Sequence, residues 1–277
     1  MADIYGSHFE YAGVSSRLYG LIIANVQTNR FTQMSGSIEG HTVFNRVSKK
    51  RHLIDDDYTS FPVSYEVDIV SDNERGIELN MRREIEKWLF NKHDYRKFYL
   101  DITDDCFGET YEIIDGLQKQ LYMNCRFVNP ERLEYNGGII GYRVTLEADS
   151  GLWWQDAVTK TFAVNNATSS STSTITVSVD TDLDDYTYPK VVITMGNSGG
   201  DVIIANTTDD STRLTKFTGL SANAIVTLKG ELNYVSGQNY TKFSARNFPR
   251  LLDGDNAFTV QGNVSSIAFE FNNRRML

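Results

Sequence analysis

Strict alternation of apolar and polar residues is the pattern that most limits what this chain can become. Phe61, Val63, Tyr65, Val67 and Ile69 are apolar, with Ser60, Ser64, Glu66 and Asp68 set beside them. A period of two puts one face of an extended segment on a core and the other in water, which describes a half-buried antiparallel strand. The same period returns at Leu121, Met123, Cys125 and Phe127, and again at Ile140, Tyr142, Val144, Leu146 and Ala148 against Gly141, Arg143, Thr145 and Glu147. One stretch departs from it. Ile77, Met81, Ile85, Trp88 and Leu89 recur near the helical period after Asp72-Asn73-Glu74, which offers capping and early acidic groups. This predicts one amphipathic helix over about residues 74–91, packed on the sheet, with its first turns weakened by Gly76 and the off-phase Leu79.

At 277 residues the chain is about twice the usual domain size, so two domains are expected. Residues 165–174 read NNATSSSTST, a polar tract that suits a linker or an exposed strand entry. A boundary near 160–170 follows, dividing 1–160 from 161–277. Beyond it come short strand patterns at Ile175/Val177/Val179, Val191/Ile193/Met195, Ile225 to Leu228, Phe258/Val260 and Ile267/Phe269/Phe271, separated by Gly, Asn and Asp turns. The fold expected is mainly β: an N-terminal β-rich domain with one packed amphipathic helix, then a C-terminal antiparallel β-sandwich or jelly roll.

Charge excludes one class of partner. The count of 27 basic against 36 acidic residues gives −9, which repels a phosphate backbone, since nucleic-acid affinity comes mainly from counterions released by Lys and Arg. The basic cluster Arg46, Lys49, Lys50, Arg51, His52 is followed at once by Asp55, Asp56 and Asp57, so it reads as a solvated loop or protein-contact surface. The opening MADIYGSHFEYAG has neither a basic nor an apolar signal region, and runs such as Leu21 to Ala24 are far short of a bilayer span. With only 2 cysteines, the expectation is a soluble chain made inside a cell, without membrane insertion.

Motifs for chemistry are weak. Gly196-Asn197-Ser198-Gly199-Gly200 matches a nucleophile elbow, but Val202-Ile203-Ile204 reads as a strand where the elbow needs a helix, and the last histidine is His93. The other three, His8, His41 and His52, also lie in the first domain. A hairpin turn accounts for these glycines. Cys106 and Cys125 lack the short spacing of a zinc site, and Cys125 sits on the apolar phase of its strand. Asp180-Thr181-Asp182-Leu183-Asp184 begins like a calcium loop, then places Asp185 where Gly is required and Val191 where Glu is required. Asn166, Asn206, Asn239 and Asn263 open Asn-x-Ser/Thr triplets, read as chance in a Ser/Thr-rich β-domain. No catalytic, cofactor-binding or metal-binding residue is assigned.

Three segments remain distinctive. Phe9-Glu10-Tyr11-Ala12-Gly13-Val14-Ser15-Ser16-Arg17-Leu18-Tyr19-Gly20-Leu21-Ile22-Ile23 lies in the opening of the chain, Val144-Thr145-Leu146-Glu147-Ala148-Asp149 runs into Gly151-Leu152-Trp153-Trp154, and Phe248-Pro249-Arg250-Leu251-Leu252-Asp253-Gly254-Asp255-Asn256 precedes the final strands. In order and spacing they resemble the distal tail protein family of long, non-contractile-tailed bacteriophages. The resemblance implies a ring domain over about residues 1–155, six copies of which close around a channel, and a galectin-like sandwich projecting outward. It also implies a structural baseplate hub at the distal end of the virion tail, made in the bacterial host cytoplasm. Its partners would be copies of itself in a homo-hexamer, the major tail tube protein, a tail-tip or tail-associated protein, and receptor-binding or baseplate proteins. DNA would pass without specific binding through an acidic lumen during genome ejection. Two other readings stand beside it. Tyr234, Tyr240 and Phe243 could stack a sugar in a carbohydrate-binding module, and Ser198 or unidentified carboxylates could serve a hydrolase.

Overall fold

The structure, a computed structural model, describes residues 7–26, 37–45, 50–59, 64–72, 76–100, 111–114 and 117–275. Phe61, Val63, Asn73, Glu74, Arg46, Lys49 and Cys106 therefore lie outside the described residues. Compactness divides the chain into one unit ending at Gln155 and a second running from Asp156 to Arg275. The strand Val158–Ala163 pairs along its length with Val264–Phe271, so it belongs with the second unit. The polar tract lies inside that unit too: Ser171 N–H donates to the Thr168 carbonyl in a turn, and strand resumes at Thr172.

In the first unit the described strands are β1 (Phe9–Tyr11), β2 (Val14–Ser15), β3 (Leu21–Val26), β4 (Ser37–Asn45), β5 (Lys50–Thr59), β6 (Ser64–Ser71), β7 (Arg96–Leu100), β8 (Tyr111–Ile114), β9 (Leu117–Gln120), β10 (Met123–Tyr135), β11 (Gly138–Ala148) and β12 (Trp153–Trp154). Seven of them form a sheet in the order β2-β1-β7-β10-β11-β6-β3, antiparallel throughout. Ser7 then bonds across to β3: its N–H donates to the Ile23 carbonyl at 3.1 Å, and Ile23 N–H donates back at 2.9 Å. The segment leading into β1 thus pairs with β3 while β1 itself pairs with β7, and the sheet curls into a nearly closed wall.

Alternation predicts which residues line that wall. Tyr65, Val67 and Ile69 of β6, Met123, Cys125 and Phe127 of β10, and Tyr142, Val144, Leu146 and Ala148 of β11 all belong to one buried cluster. Phe9 stacks on Trp88 with centroids 5.7 Å apart and also meets Phe98 and Phe127. Each fully buried large apolar side chain of this kind stabilises by roughly 1.5–3 kcal/mol. Ile140 is an exception to the expected phase. Leu133 opposes Gly141 while Glu134 opposes Ile139, so Ile140 is the extra residue of a β-bulge, and the bulge turns Ile139 inward in its place. A second bulge on β10 holds Asn129, at φ 53°, and Pro130. Asn136 and Gly137, both at positive φ (48° and 78°), make the tight turn from β10 to β11.

The helix, α1, spans Leu79–Phe90 and starts later than the expected residue 74. Ile77 is still extended, because its N–H donates to the Ile139 carbonyl at 2.6 Å and so ties the backbone to β11. Ile85, Trp88 and Leu89, spaced i, i+3, i+4, are buried on the core, whereas Leu79 and Met81 are exposed. Trp88 Nε1 donates to the Tyr11 carbonyl at 2.9 Å, locking α1 to β1.

The second unit contains β13 (Val158–Ala163), β14 (Thr172–Val179), β15 (Lys190–Met195), β16 (Gly200–Asn206), β17 (Leu214–Leu220), β18 (Ile225–Lys229), β19 (Tyr234–Val235), β20 (Phe243–Arg246), β21 (Gly254–Gly262) and β22 (Val264–Phe271). They make two five-stranded sheets, β13-β22-β15-β18-β19 and β14-β21-β16-β17-β20. Val191, Ile193, Val226, Leu228, Ile267 and Phe269 from the first join Val177, Ile204, Phe217, Phe258 and Val260 from the second in one buried cluster, which is a β-sandwich core. Val226 and Leu228 take the inward positions of β18, leaving Ile225 exposed.

The Tyr11 hydroxyl is buried without a hydrogen-bond partner among the described residues, and burial, helped by the neighbouring Cys125, pushes its pKa far above the ordinary phenol range. An unsatisfied buried donor costs about 1–3 kcal/mol. Tyr11→Phe is accordingly expected to stabilise the protein by about 1 kcal/mol in urea unfolding, and a loss of stability would show that the hydroxyl is satisfied.

Candidate functional site

The side of the first sheet facing away from its core carries paired charges. On this face Asn124 and Arg126 alternate with the buried Met123, Cys125 and Phe127, and cross-strand register brings Arg126 opposite Glu147 and Arg143 opposite Asp68. Arg143 grips Asp68 with two bonds, Nε at 2.8 Å and Nη2 at 3.0 Å, which explains how a charged residue becomes buried on β6. Arg126 Nε reaches Glu147 at 2.5 Å. Lys97 Nζ lies 3.8 Å from the centre of the Tyr122 ring. Glu10 and Glu66, on the same face, make no ion pair among the described residues. Arg126 and Arg143 are thus neutralised by carboxylates, whereas Lys97 keeps its charge over an aromatic ring.

Strand edges are the other feature. The hairpins β4–β5 and β8–β9 each form a sheet of two strands, and among the described residues neither joins the main sheet. Lys50, Arg51, His52 and Asp55 to Asp57 lie on β5, so this part of the charge cluster is strand, held by backbone pairing from Asn45–Lys50 to Ser37–Thr59. His41 on β4 faces Asp55 in register, and Val43 faces His52. Among the described residues β10 pairs with β7 only over Met123 to Cys125, so its outer half is bonded there to β11 alone and presents an edge from Asn129 to Tyr135.

The residues singled out for chemistry do not converge. Ser198 lies on an arch between β15 and β16, which belong to different sheets, so the glycine-rich segment crosses the sandwich and is not the expected hairpin. Gly199, at φ 63°, leaves no room for a side chain against the Leu220 carbonyl. The aspartates that begin like a calcium loop are taken by an internal cation: Arg275 reaches Asp180 at 2.7 Å and Asp182 at 3.3 Å. Cys125 is fully enclosed, and burial raises its thiol pKa. Phe243 is buried and stacked on Phe217 with centroids 4.8 Å apart, so it offers no face to a sugar; Tyr234 and Tyr240 are exposed.

The asparagines are structural braces that triplet reading missed. Asn166, Asn206 and Asn263 are buried. Asn263 Nδ2 donates to the carbonyls of Asn166 (3.0 Å) and Ala167 (2.8 Å), while its Oδ1 accepts the Ser198 N–H at 3.1 Å. Asn166 Nδ2 donates to Val260, and Asn206 Nδ2 to Arg250. Asn263 and Asn206 spend their amides on backbone between the strands, and Asn166 reaches a carbonyl of β21.

A family model described as "Phage tail protein N-terminal domain" matches residues 4–150, and one described as "Phage tail C-terminal domain" matches residues 157–271. The chain belongs to the phage tail protein family. No curated protein matches it. Among solved structures, this tail protein is similar to Dit of phage SPP1, described as a paradigm of the hub adsorption apparatus in phages infecting Gram-positive bacteria. The TM-score is 0.63 at 11% identity, over 98% of this chain and 99% of that one. It is also similar to a chain of the phage P2 baseplate in its activated conformation with Ca, at a TM-score of 0.50 and 7% identity, over 97% of this chain and 98% of that one. At such identities the likeness speaks for the fold, and both units of the tail protein take part in it.

Asn263→Ala removes two donated bonds and the acceptor for Ser198. A loss of about 2–3 kcal/mol in urea unfolding is expected, against under about 0.5 kcal/mol for a change at exposed Asn197.

Proposed function

We propose that this tail protein is the distal tail hub of a long, non-contractile-tailed phage or prophage, working through its interfaces and with no chemistry of its own. Six copies of the first domain close into a ring at the distal end of the tail, and the second domain carries the outward contacts. The ring joins the major tail tube protein to the tail-tip protein and to receptor-binding or baseplate proteins. A likeness to SPP1 Dit that extends over nearly the whole of both chains is the observation that carries this reading. Heterologous contacts that close are needed for such a ring, and a hairpin with open edges, such as β4–β5, suits strand exchange with a neighbour.

The charged face supports a lining role. DNA slides where no cation grips its phosphates, and on this face Arg126 and Arg143 are held by carboxylates while Glu10 and Glu66 remain. We place that face toward the channel.

Electron microscopy of the purified protein, alone and mixed with the tail tube protein, is expected to show rings with a central hole; single copies in both samples would overturn the reading. Glu10→Lys combined with Glu66→Lys should slow genome ejection from assembled virions, most at low salt, because each new cation adds a phosphate contact. Unchanged ejection would place this face away from the channel.

A further inference from the structure

In the second unit, every exposed large apolar residue among the described ones falls within a single stretch: Ile225 is 62% exposed, Leu232 70%, Tyr234 45% and Tyr240 48%. The same stretch, continued to Arg246, holds the cations Lys229, Lys242 and Arg246 against one acid, Glu231, in a chain of net charge −9. None of these cations has a carboxylate partner among the described residues, as is also true of Lys160, Arg213 and Lys216, whereas Lys190, Arg250, Arg274 and Arg275 of this unit each have one. Two lie against the tyrosines instead. Lys229 Nζ is 5.9 Å from the Tyr234 ring centre, and Arg246 Cζ is 4.9 Å from that of Tyr240, whose hydroxyl also accepts from Arg246 Nη1 at 3.2 Å.

The backbone beneath is tied into both sheets. Val235 pairs with Leu228 at the edge of one sheet, and Phe243 stacks on Phe217 at the edge of the other. Ser236 N–H donates to the Thr227 carbonyl at 2.9 Å, and Thr218 Oγ1 donates to the Lys242 carbonyl at 3.4 Å. Val235 and Phe243 point inward while Tyr234, Tyr240 and the cations remain outside, so little ordering would be lost on binding.

We infer that residues 225–246 form a docking edge for an acidic segment of another protein. Charge selects an acidic occupant. Exposed Ile225 and Leu232 select protein over a polyphosphate or an anionic glycopolymer, which would have no use for aliphatic contacts. Tyrosine and arginine are also enriched at interface hot spots. The inference deepens the hub reading and rests on it for the occupant being another tail component.

The test is photo-crosslinking in assembled virions, with p-benzoylphenylalanine replacing Leu232 and the products identified by mass spectrometry. One crosslinked tail protein, joined through an acidic segment, is expected. Charge reversal by Lys229→Glu with Arg246→Glu should cut its yield by about tenfold or more, because a rim of opposite charge sets the association rate. Circular dichroism of the variant should be unchanged. A crosslink only to another copy of this chain, only to cell-wall polymer, or of undiminished yield after reversal overturns the inference. Rings seen by microscopy without the crosslink reject the docking edge and leave the hub reading intact; absent rings reject the hub reading first.

Discussion

Two hydrogen bonds between Ser7 and Ile23 decide the character of the first unit. Without them the seven-stranded sheet would end in an open edge at β3 and a second one beyond β1. With them the wall curves back on itself and encloses one continuous core, in which Phe9, Tyr11, Phe98 and Phe127 approach from the strands and Trp88 from α1. The helix needs this enclosure. It is 12 residues long, lacks a side-chain N-cap, and would be marginal alone, so it depends on Ile85, Trp88 and Leu89 finding a concave apolar surface. Closure also uses up backbone donors and acceptors at Ser7 and Ile23 that would otherwise remain open.

The second unit solves a different problem. Its sheets face each other, and successive strands switch between them, so the chain must cross the sandwich repeatedly. Each crossing exposes backbone groups that no ladder satisfies. Buried asparagine amides supply those partners, with Asn263 bracing both the Asn166 segment and the Ser198 arch. Arg274 and Arg275 act similarly on the segment from Asp180 to Thr187. Polar residues thereby fix the connections, while apolar ones fill the space between sheets.

Much of the fold was legible because alternation is a direct consequence of strand geometry. Tyr65 to Ile69, Met123 to Phe127 and Val144 to Ala148 follow it faithfully. Ile140 did not, since a bulge changes the phase without changing the composition, and Asp68 was unreadable for want of its partner Arg143, which lies far along the chain. Helix existence was clear from Ile85, Trp88 and Leu89, but its start was set by the Ile77–Ile139 bond, a tertiary contact. The glycines around Ser198 announced a turn; which strands the turn joined depended on pairing registers that no local pattern contains. Residues of a binding surface were the least legible, because such a surface needs shape and charge, not reactive groups in fixed spacing. Resemblance in three short segments identified the family where chemistry was silent.

The bulge at Asn129-Pro130 shapes how the long β10–β11 ribbon behaves in a crowded cell. Proline has no N–H to donate, the bulge twists the strand, and Glu131, Arg132 and Glu134 follow at once. An otherwise flat ribbon edge is a template on which chains stack without limit, and amyloid growth begins that way. Here the template is spoiled at its base. The outer half of the ribbon thus resists such stacking through its own backbone, before any neighbour is considered.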